Sequence, residues 1–420
     1  MRDMKNSEVE WIGDIPAEWS LIRFKDRWNN KKEIAGDKAE QYERLALTLN
    51  GVIKRPKEDS EGLQPKAFDG YQVLRENDFV FKMIDLQNIS TSRVGLSPYT
   101  GLVSPAYIRF TPKENNQYSK FTYYFLMSMY YNCVYNSLGG DGVRSALNAT
   151  DMGNFNIPWP DEVTQKKIAE FIDGQIIKVD TLISNVQAQI DRLKEYKQSV
   201  ITEVVTKGLD PSVPMKDSGV EWIGKIPETW KTLKFKHIAT VKSNLVEPSL
   251  YSNYPQISPE NIEKGSGRLL PCRTVEEEGV ESNNHLFYTG QIIYSKVRPI
   301  LNKVTIAPFD GLCSADMYPI ETSINKKYLV YLMLSNIFLA QVKLVTENRV
   351  KMPKINQEEI SRIALCCPND KEQEKIVVFL DAKCDQIDEL INIKQKKIDK
   401  LNEYKKSLIY EYVTGKKEVV

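Results

Sequence analysis

The side chains best suited to catalysis or metal binding are few in this sequence and stand far apart. Its only histidines are His237 and His285, and no two of its six cysteines have the C-x-x-C spacing of a metal site or redox pair. Metal sites and nucleophile–base pairs need such residues in clusters. We therefore expect no metal site, and we interpret each histidine as a surface residue or a satisfied core residue.

Signature motifs of nucleotide- and cofactor-using enzymes are also missing. The string GSGR (265–268) lacks the Lys-Ser/Thr of a phosphate-binding loop, and no nucleophile elbow or kinase signature occurs. The strings NIPWP (156–160) and NYP (253–255) do not make the Asn/Asp-Pro-Pro-aromatic motif of adenine and cytosine methyltransferases. These absences favour a non-catalytic binding protein, although a nuclease cluster of two acids and a lysine leaves only a weak sequence signature.

Composition indicates a globular protein with more than one domain. A chain of 420 residues exceeds one ordinary core, and its charged residues nearly balance at a net +1, so any nucleic-acid surface must be local. The cysteines show no disulfide framework, and the N-terminal residues have no apolar signal stretch. The run YLVYLML (328–334) is far shorter than the ~20 residues of a membrane span. We expect a cytoplasmic protein with no membrane association.

Two segments of the sequence occur twice in this chain, in the same order. VEWIGDIPAEW (9–19) and VEWIGKIPETW (220–230) agree at eight of eleven positions, and residues 160–207 match residues 368–415 without a gap at 21 of 48 positions. Weaker similarities join 77–85 to 290–298 and 101–110 to 311–320. The sequence therefore predicts two copies of one unit, each with a Trp motif, a variable block and a long amphipathic segment.

The long segments have a hydrophobic repeat of 3.5 residues, which predicts two helices packed against each other as a coiled coil. We expect the two helices to be antiparallel. Lys197, Lys394 and Lys405 also fall on the repeat, where they either fix the register or extend their charges from its edges. The predicted seam comprises Ile172, Ile176, Val179, Ile183, Val186, Ile190, Leu193, Leu380, Ile387, Ile391, Ile398, Leu401 and Leu408.

The variable blocks mix short strand patterns with turn signals and two helical patterns, at 118–131 and 326–336, so each is predicted to be an α+β domain. The predicted order is an N-terminal motif (1–19), the first variable domain (20–159), a central helix (160–207), a linker with the second motif (208–230), the second variable domain (231–367) and a C-terminal helix (368–420).

The repeated motif, the string TEVVTKGLDPSVPMKDSGVEWIG (202–224) and the EYK-containing helices resemble the specificity subunit of type I restriction–modification systems over essentially the whole chain. The resemblance implies two target-recognition domains that each bind one half of a bipartite, asymmetric double-stranded DNA target, with adenine as the modified base. It also implies that the chain itself is not an enzyme. Two methyltransferase subunits and the restriction (translocase) subunits would be its partners, and they would hold the S-adenosylmethionine, ATP and Mg²⁺.

The resemblance further implies a pseudo-twofold arrangement in which the N-terminal motif packs near the C-terminal helix. Trp11, Trp19, Trp222 and Trp230 are then expected to be core anchors, and stacking on bases is the alternative. Polar and basic side chains in the variable blocks become candidates for DNA contact, although each also fits a solvated surface charge. They are Asn50, Lys54, Arg55, Lys82, Gln87, Asn88, Arg93 and Arg144 in the first block, and Gln256, Asn261, Lys296, Arg298, Asn302, Lys303, Asn348, Arg349 and Lys351 in the second.

Two other function classes are compatible with the same sequence. One is a coiled-coil assembly scaffold with no DNA role, and the other is an enzyme whose motifs are not visible. Specific binding of one bipartite sequence separates the first class from a recognition subunit. Methylation or cleavage by this chain alone would indicate the second.

Overall fold

The computed structural model describes residues 2–49, 51–58, 67–84, 86, 93–114, 119–138, 146–349 and 351–419. The chain divides into two compact units. Unit 1 comprises Met1–Val186 and Lys396–Val420, and unit 2 comprises Gln187–Gln395.

Two long helices confirm the strongest sequence prediction. The central helix spans Glu162–Lys207, and the C-terminal helix spans Asp370–Val413. The side chains of Asp161 and Asn369 accept hydrogen bonds from backbone N–H groups in the first turns, at 3.0 and 3.1 Å, and so cap the two helix starts. Each helix is followed by a glycine with positive φ, Gly208 or Gly415, a conformation that favours glycine and ends a helix.

The two helices run antiparallel in each unit. In unit 1 the Lys405 ammonium lies 2.8 Å from Asp180, and the Phe171 and Tyr412 rings lie 4.6 Å apart. In unit 2 the Lys197 ammonium lies 2.7 Å from Asp388. Among the seam residues, eight are buried and five are half-buried: Ile172, Val179, Val186, Ile190, Leu380, Ile387, Ile398 and Leu408, then Ile176, Ile183, Leu193, Ile391 and Leu401.

The variable block of unit 1 is built on two four-stranded sheets. In one, Gly51–Arg55, Arg44–Thr48, Gly101–Val103 and Gln72–Leu74 are neighbours in that order, and in the other the order is Trp28–Asn30, Ile108–Pro112, Phe79–Lys82 and Arg93–Leu96. The remaining elements are strands Met4–Asn6, Asp14–Pro16, Ser20–Arg23 and Asn156–Trp159, helices Phe24–Arg27, Ser119–Tyr131, Val134–Leu138 and Ala149–Gly153, and a 3-10 helix at Gly36–Gln41.

Unit 2 has the same plan. Its first sheet has the order Leu245–Val246, Asn284–Phe287, Gly311–Cys313 and Gln256–Ile257, and its second has the order Ala239–Val241, Met317–Thr322, Ile292–Ser295 and Val304–Ile306. The remaining elements are strands Met215–Asp217, Lys225–Pro227, Lys231–Lys234 and Ala364–Cys367, helices Phe235–Ile238, Lys326–Leu334, Asn336–Thr346 and Gln357–Arg362, and 3-10 helices Pro248–Tyr251, Pro259–Asn261 and Pro299–Leu301.

This correspondence extends the duplication into blocks whose sequences have diverged. Each unit has one parallel strand pair, between Arg44–Thr48 and Gly101–Val103 or between Gln256–Ile257 and Gly311–Cys313. The weakly similar segments 77–85 and 290–298 both supply the strand that crosses the centre of the second sheet. The predicted α+β class with an internal repeat is therefore confirmed.

The Trp motifs pack on the ends of the long helices. In unit 1 a Cβ on Gly415 would lie 2.5 Å from Pro16 and 3.1 Å from Trp19, and in unit 2 a Cβ on Gly208 would lie 3.3 Å from Trp230. The Trp19 and Trp230 side chains are 1% and 0% exposed. The N-terminal motif therefore packs against the end of the C-terminal helix, as the resemblance implied.

The prediction that all four motif tryptophans are core anchors is wrong for one of them. Trp11 is half-buried, and the Tyr410 hydroxyl donates a hydrogen bond to its carbonyl oxygen at 3.5 Å. Trp222 is 45% exposed. The repeat places Thr202 on the central helix where Tyr410 stands on the C-terminal helix, so the hydrogen bond from a tyrosine hydroxyl to the Trp11 carbonyl has no tyrosine counterpart in unit 2.

No single helix in the described part of the chain is long and apolar enough to cross a bilayer. One bent pair, Lys326–Leu334 with Asn336–Thr346, passes the test of length and composition with a 59° bend. Most of its large apolar residues, among them Tyr328, Leu329 and Phe338, lie in the hydrophobic core of unit 2, whereas Leu344 and Val345 are exposed.

Candidate nucleic-acid interface

Two loops of the second variable domain are joined by backbone hydrogen bonds. The Arg298 N–H donates to the Pro353 carbonyl at 2.8 Å, and the Ile355 N–H donates to the Lys296 carbonyl at 2.9 Å. Val297 and Lys354 form an antiparallel β-bridge between these hydrogen bonds. Residues 296–303, 347–349 and 351–354 therefore form one surface, which we call the basic tip.

The basic tip holds six cations and one carboxylate, Glu347, in its own two segments. Two neighbouring carboxylates neutralise part of this charge. Lys354 lies 2.8 Å and Lys296 4.0 Å from Asp316, and Arg349 is paired with Glu359. Arg298 and Lys351 are exposed and form no ion pair with any residue that the structure describes. Both guanidinium and ammonium groups suit contacts with phosphate oxygens.

The left-handed backbone at two positions shapes this surface. Arg298 and Asn302, both with φ of 46°, flank the 3-10 turn Pro299–Leu301. The Asn302 side chain is 1% exposed and donates to the Met333 carbonyl at 2.8 Å. Asparagine tolerates this conformation better than most residues. Asn302 therefore holds the turn in place, and its burial argues against the predicted contact with DNA.

Three other predicted contact residues in this domain are buried or hydrogen-bonded within the fold. Gln256 is 5% exposed on a strand of the first sheet, so its burial also argues against the predicted base contact. Asn261 is half-buried, and its side chain accepts from the Ser258 N–H and hydroxyl at 2.8 Å and donates to the Pro271 carbonyl at 3.0 Å. The Lys303 ammonium donates to the Pro259 carbonyl at 2.6 Å. Asn348, by contrast, is exposed on the basic tip.

The first variable domain shows the framework of an equivalent surface. Ile84 and Ala146 form a β-bridge at the place that Val297 and Lys354 occupy in unit 2. Half-buried Lys82 ends the strand before this loop, and Arg93 pairs with it in the strand register. The predicted residues Asn50, Gln87, Asn88 and Arg144 lie outside the described residues.

The remaining candidates of unit 1 lie on strand Gly51–Arg55. Lys54 is exposed, lies 2.6 Å from Glu43 and stands over the Tyr99 ring, and Arg55 is half-buried. Two further cations are held within the fold, because Arg109 pairs with buried Asp78 at 2.6 Å and Arg75 binds Glu33.

Sequence reasoning missed Lys354, which the β-bridge places beside the Lys296 segment. The predicted segment ended at Lys351, and only the pairing with Val297 shows that the basic surface continues. His285 lies near this surface with 4% exposure, and burial, reinforced by the positive charge of Lys296, lowers the pKa of its imidazole. In the described part of the chain, no group of three His, Cys, Asp or Glu residues is placed to hold a metal ion.

Comparisons with known proteins agree with this arrangement. The family model described as the type I restriction modification DNA specificity domain matches residues 21–192 and again residues 227–403. The type I restriction enzyme EcoDI specificity subunit of Escherichia coli is 29% identical over 398 residues, which cover 90% of this chain and 85% of that protein. The putative type I restriction enzyme MjaX specificity subunit of Methanocaldococcus jannaschii is 22% identical over 98% of this chain and 96% of its own length.

The fold is also found in a solved structure. A chain from a study titled as the structural basis of complex assembly and conformational transition of the type I R-M system superposes with a TM-score of 0.66. The superposition covers 95% of this chain and 98% of that chain at 12% sequence identity, so it supports the fold alone. Because the two family matches together span most of the chain, one in each repeat, this protein belongs to the DNA specificity family of type I restriction–modification systems.

Proposed function

We propose that this chain recognises a bipartite, asymmetric DNA sequence, one half-site per variable domain, and holds two methyltransferase subunits on its repeated helical elements. The restriction subunits join through that assembly. The chain itself is non-catalytic, and S-adenosylmethionine, ATP and Mg²⁺ belong to the partners. We place this work in the cytoplasm, where the DNA and the partner subunits are available.

The observation that supports this proposal best is a repeated framework beneath unlike surfaces. In unit 1, Lys120 and Tyr124 of the helix Ser119–Tyr131 both donate to Asp173 of the central helix. In unit 2, Lys327 and Tyr331 donate to Asp381 of the C-terminal helix at 2.6 and 2.7 Å. Each variable domain is thus fixed to its long helix through an equivalent carboxylate.

The sequences between equivalent strands differ between the repeats. Strand Phe79–Lys82 is followed in the sequence by MIDLQNISTS, whereas strand Ile292–Ser295 is followed by KVRPILNK. The charged and apolar residues of these two sequences do not correspond. Because base preference depends on the identity of the side chains that reach the bases, equal scaffolds with unlike connecting sequences favour an asymmetric target.

The two long helices expose apolar side chains at equivalent positions, which suits the binding of two copies of one partner. Leu182 and Leu390 are equivalent in the repeat and are 47% and 48% exposed, and Tyr196 and Tyr404 are equivalent and 49% and 52% exposed. Unit 1 holds Leu182 and Tyr404, and unit 2 holds Leu390 and Tyr196. Matching apolar positions in each unit support two equivalent docking surfaces for the methyltransferase.

The decisive experiment combines methylome sequencing with binding. We expect deletion of the gene from its host to abolish adenine methylation at one interrupted motif, and the purified chain–methyltransferase complex to bind that motif above competitor DNA. Replacing residues 20–159 with another recognition domain should change only one half of the motif. A complex that assembles but binds all DNA equally would instead favour a scaffold without a recognition role.

A further inference from the structure

Two large apolar side chains are exposed on the basic tip of unit 2. Ile300 is 50% exposed and Met352 is 56% exposed. Both lie within two residues of the hydrogen bond that joins Arg298 to Pro353, one on each segment. The polar residues around them are mainly cations, so the tip combines exposed apolar groups with an excess of positive charge.

The backbone of the tip is held in an unfavourable conformation. Six non-glycine residues in the described chain have positive φ, and three of them, Arg298, Asn302 and Met352, belong to this tip. Side chains resist this conformation, and it persists where surrounding contacts enforce it. Burial of the Arg298 and Met352 side chains does not explain it, because both are exposed.

Hydrogen bonds within the turn and to the rest of unit 2 enforce the conformation at Arg298 and Asn302. The Leu301 N–H donates to the Arg298 carbonyl at 2.8 Å, the Gly265 N–H donates to the Asn302 carbonyl at 3.1 Å, and the buried Asn302 amide donates to the Met333 carbonyl. Ile300 is therefore presented on a turn that is fixed at both ends. A fixed turn loses little conformational entropy when its side chains contact a ligand.

The charge of the surface identifies the ligand class. Arg298 and Lys351, the two exposed cations without an ion-pair partner in the described residues, are suited to phosphate oxygens on either side of an apolar contact. In the major groove of duplex DNA the apolar group available for such a contact is the C5 methyl of thymine. A protein surface would not require this excess of positive charge.

Resting on the proposed function, we propose that Ile300 and Met352 are specificity-determining residues that contact thymine methyl groups in the half-site bound by the second variable domain. Arg298 and Lys351 hold the flanking phosphates. The tip thereby distinguishes T·A from the other base pairs through apolar contact, in addition to any hydrogen bonds to base edges.

The test uses the chain assembled with its methyltransferase and the target motif found by methylome sequencing. Each thymine of the two half-sites is replaced in turn by deoxyuridine, which lacks only the C5 methyl. We expect one or two substitutions in one half-site to weaken binding by about fourfold each, the loss that corresponds to removing one buried methyl-sized group. In the Ile300→Ala or Met352→Ala complex, the corresponding substitution should have no further effect.

The matched control is Leu250→Ala, because Leu250 is 76% exposed in the same unit and Glu247 is the only charged residue of its segment 247–254. This variant should keep the uridine effects, and circular dichroism should show all three variants folded. Unchanged base preference in Ile300→Ala and Met352→Ala, an equal loss of affinity for every sequence, or a loss of methyltransferase subunits instead would overturn the inference. Failure of the unsubstituted complex to prefer any bipartite motif would overturn the proposed function itself.

Discussion

Lys197 and Asp388 join the central and C-terminal helices within unit 2, with 2.7 Å between the ammonium and a carboxylate oxygen. The equivalent positions, 208 residues away in the repeat, are Lys405 and Asp180. Their ammonium and carboxylate groups lie 2.8 Å apart in unit 1. The sequence left two interpretations of the seam lysines, register fixing or extension from the edge. Lys197 and Lys405 each form an ion pair with a carboxylate on the opposite helix, which supports the interpretation that these two lysines fix the register.

The ion-pair prediction concerns Lys197→Met, which keeps the aliphatic stem and removes the charge. Because the lysine side chain is 13% exposed and the aspartate 51% exposed, we expect the free energy of unfolding to fall by about 0.5–1 kcal/mol. We expect a similar decrease in the free energy of unfolding for Lys405→Met. Urea denaturation of a double-mutant cycle with Asp388→Asn gives the coupling energy, and a coupling near zero would favour edge extension. Lys166→Met, at an exposed pair 4.0 Å apart, is the control.

The glycine prediction separates helix propensity from close packing. Gly174 lies exposed within the central helix, and no neighbouring atom lies within 4 Å of the place that an alanine Cβ would take, so Gly174→Ala should stabilise the protein by about 0.5–1 kcal/mol. Gly415→Ala should destabilise it by more than the ~1–2 kcal/mol of left-handed strain, because its Cβ would meet Pro16. Gly219→Ala, with φ of 73° and open space, measures strain alone. Equal thermal shifts for Gly415→Ala and Gly219→Ala would contradict the packing of the Trp motif on the helix end.

The pH prediction concerns His285. Burial lowers the pKa of this imidazole in the folded state below the 6.5 of an exposed histidine, so the unfolded chain binds the proton more readily. The resulting stability is present above pH 6.5 and is lost as the pH falls from 6.5 towards the folded pKa. Thermal denaturation between pH 7.5 and 5.5 should show a smaller decline in His285→Gln than in the parent.

The phosphate prediction concerns Lys351. Because this exposed lysine has no ion-pair partner in the described residues, Lys351→Ala should weaken binding of the complex to all DNA sequences about equally. The slope of log K against log salt should fall by about one. Fluorescence anisotropy at several salt concentrations measures both effects. Lys371→Ala, an exposed lysine of the C-terminal helix, is the control, and an altered base preference in Lys351→Ala would contradict a phosphate role.

The partner prediction concerns the repeated leucines. Leu182→Asp or Leu390→Asp alone should leave one methyltransferase subunit bound, and the double variant should bind none, because each removes one of two equivalent apolar contacts. Native mass spectrometry of the reconstituted complex counts the subunits. Val163→Asp provides the control, since Val163 is 64% exposed but its repeat position is Lys371. Loss of both subunits in either single variant would argue against independent docking surfaces.

The sequence alone determined the parts of this protein that depend on local periodicity and on the repeat. The 3.5-residue pattern placed both long helices and their seam, because a helix buries whichever stripe is apolar whatever packs against it. The 208-residue offset predicted the duplicated units. Helical patterns at 118–131 and 326–336 correspond to Ser119–Tyr131 and Lys326–Leu334, although Ser335 divides the second pattern and a further helix follows.

Only the tertiary structure decided which polar residues reach the surface and which loops meet. Asn302 is buried because its amide finds a carbonyl 31 residues away, and Gln256 is buried because its strand lies within a sheet. Lys354 joins the basic tip through a bridge to Val297, more than fifty residues earlier. Trp222 is 45% exposed although its counterpart in the repeat, Trp11, is half-buried. The burial of these side chains and the pairing of these loops depend on contacts between segments that are distant in the sequence, and local sequence patterns do not indicate such contacts.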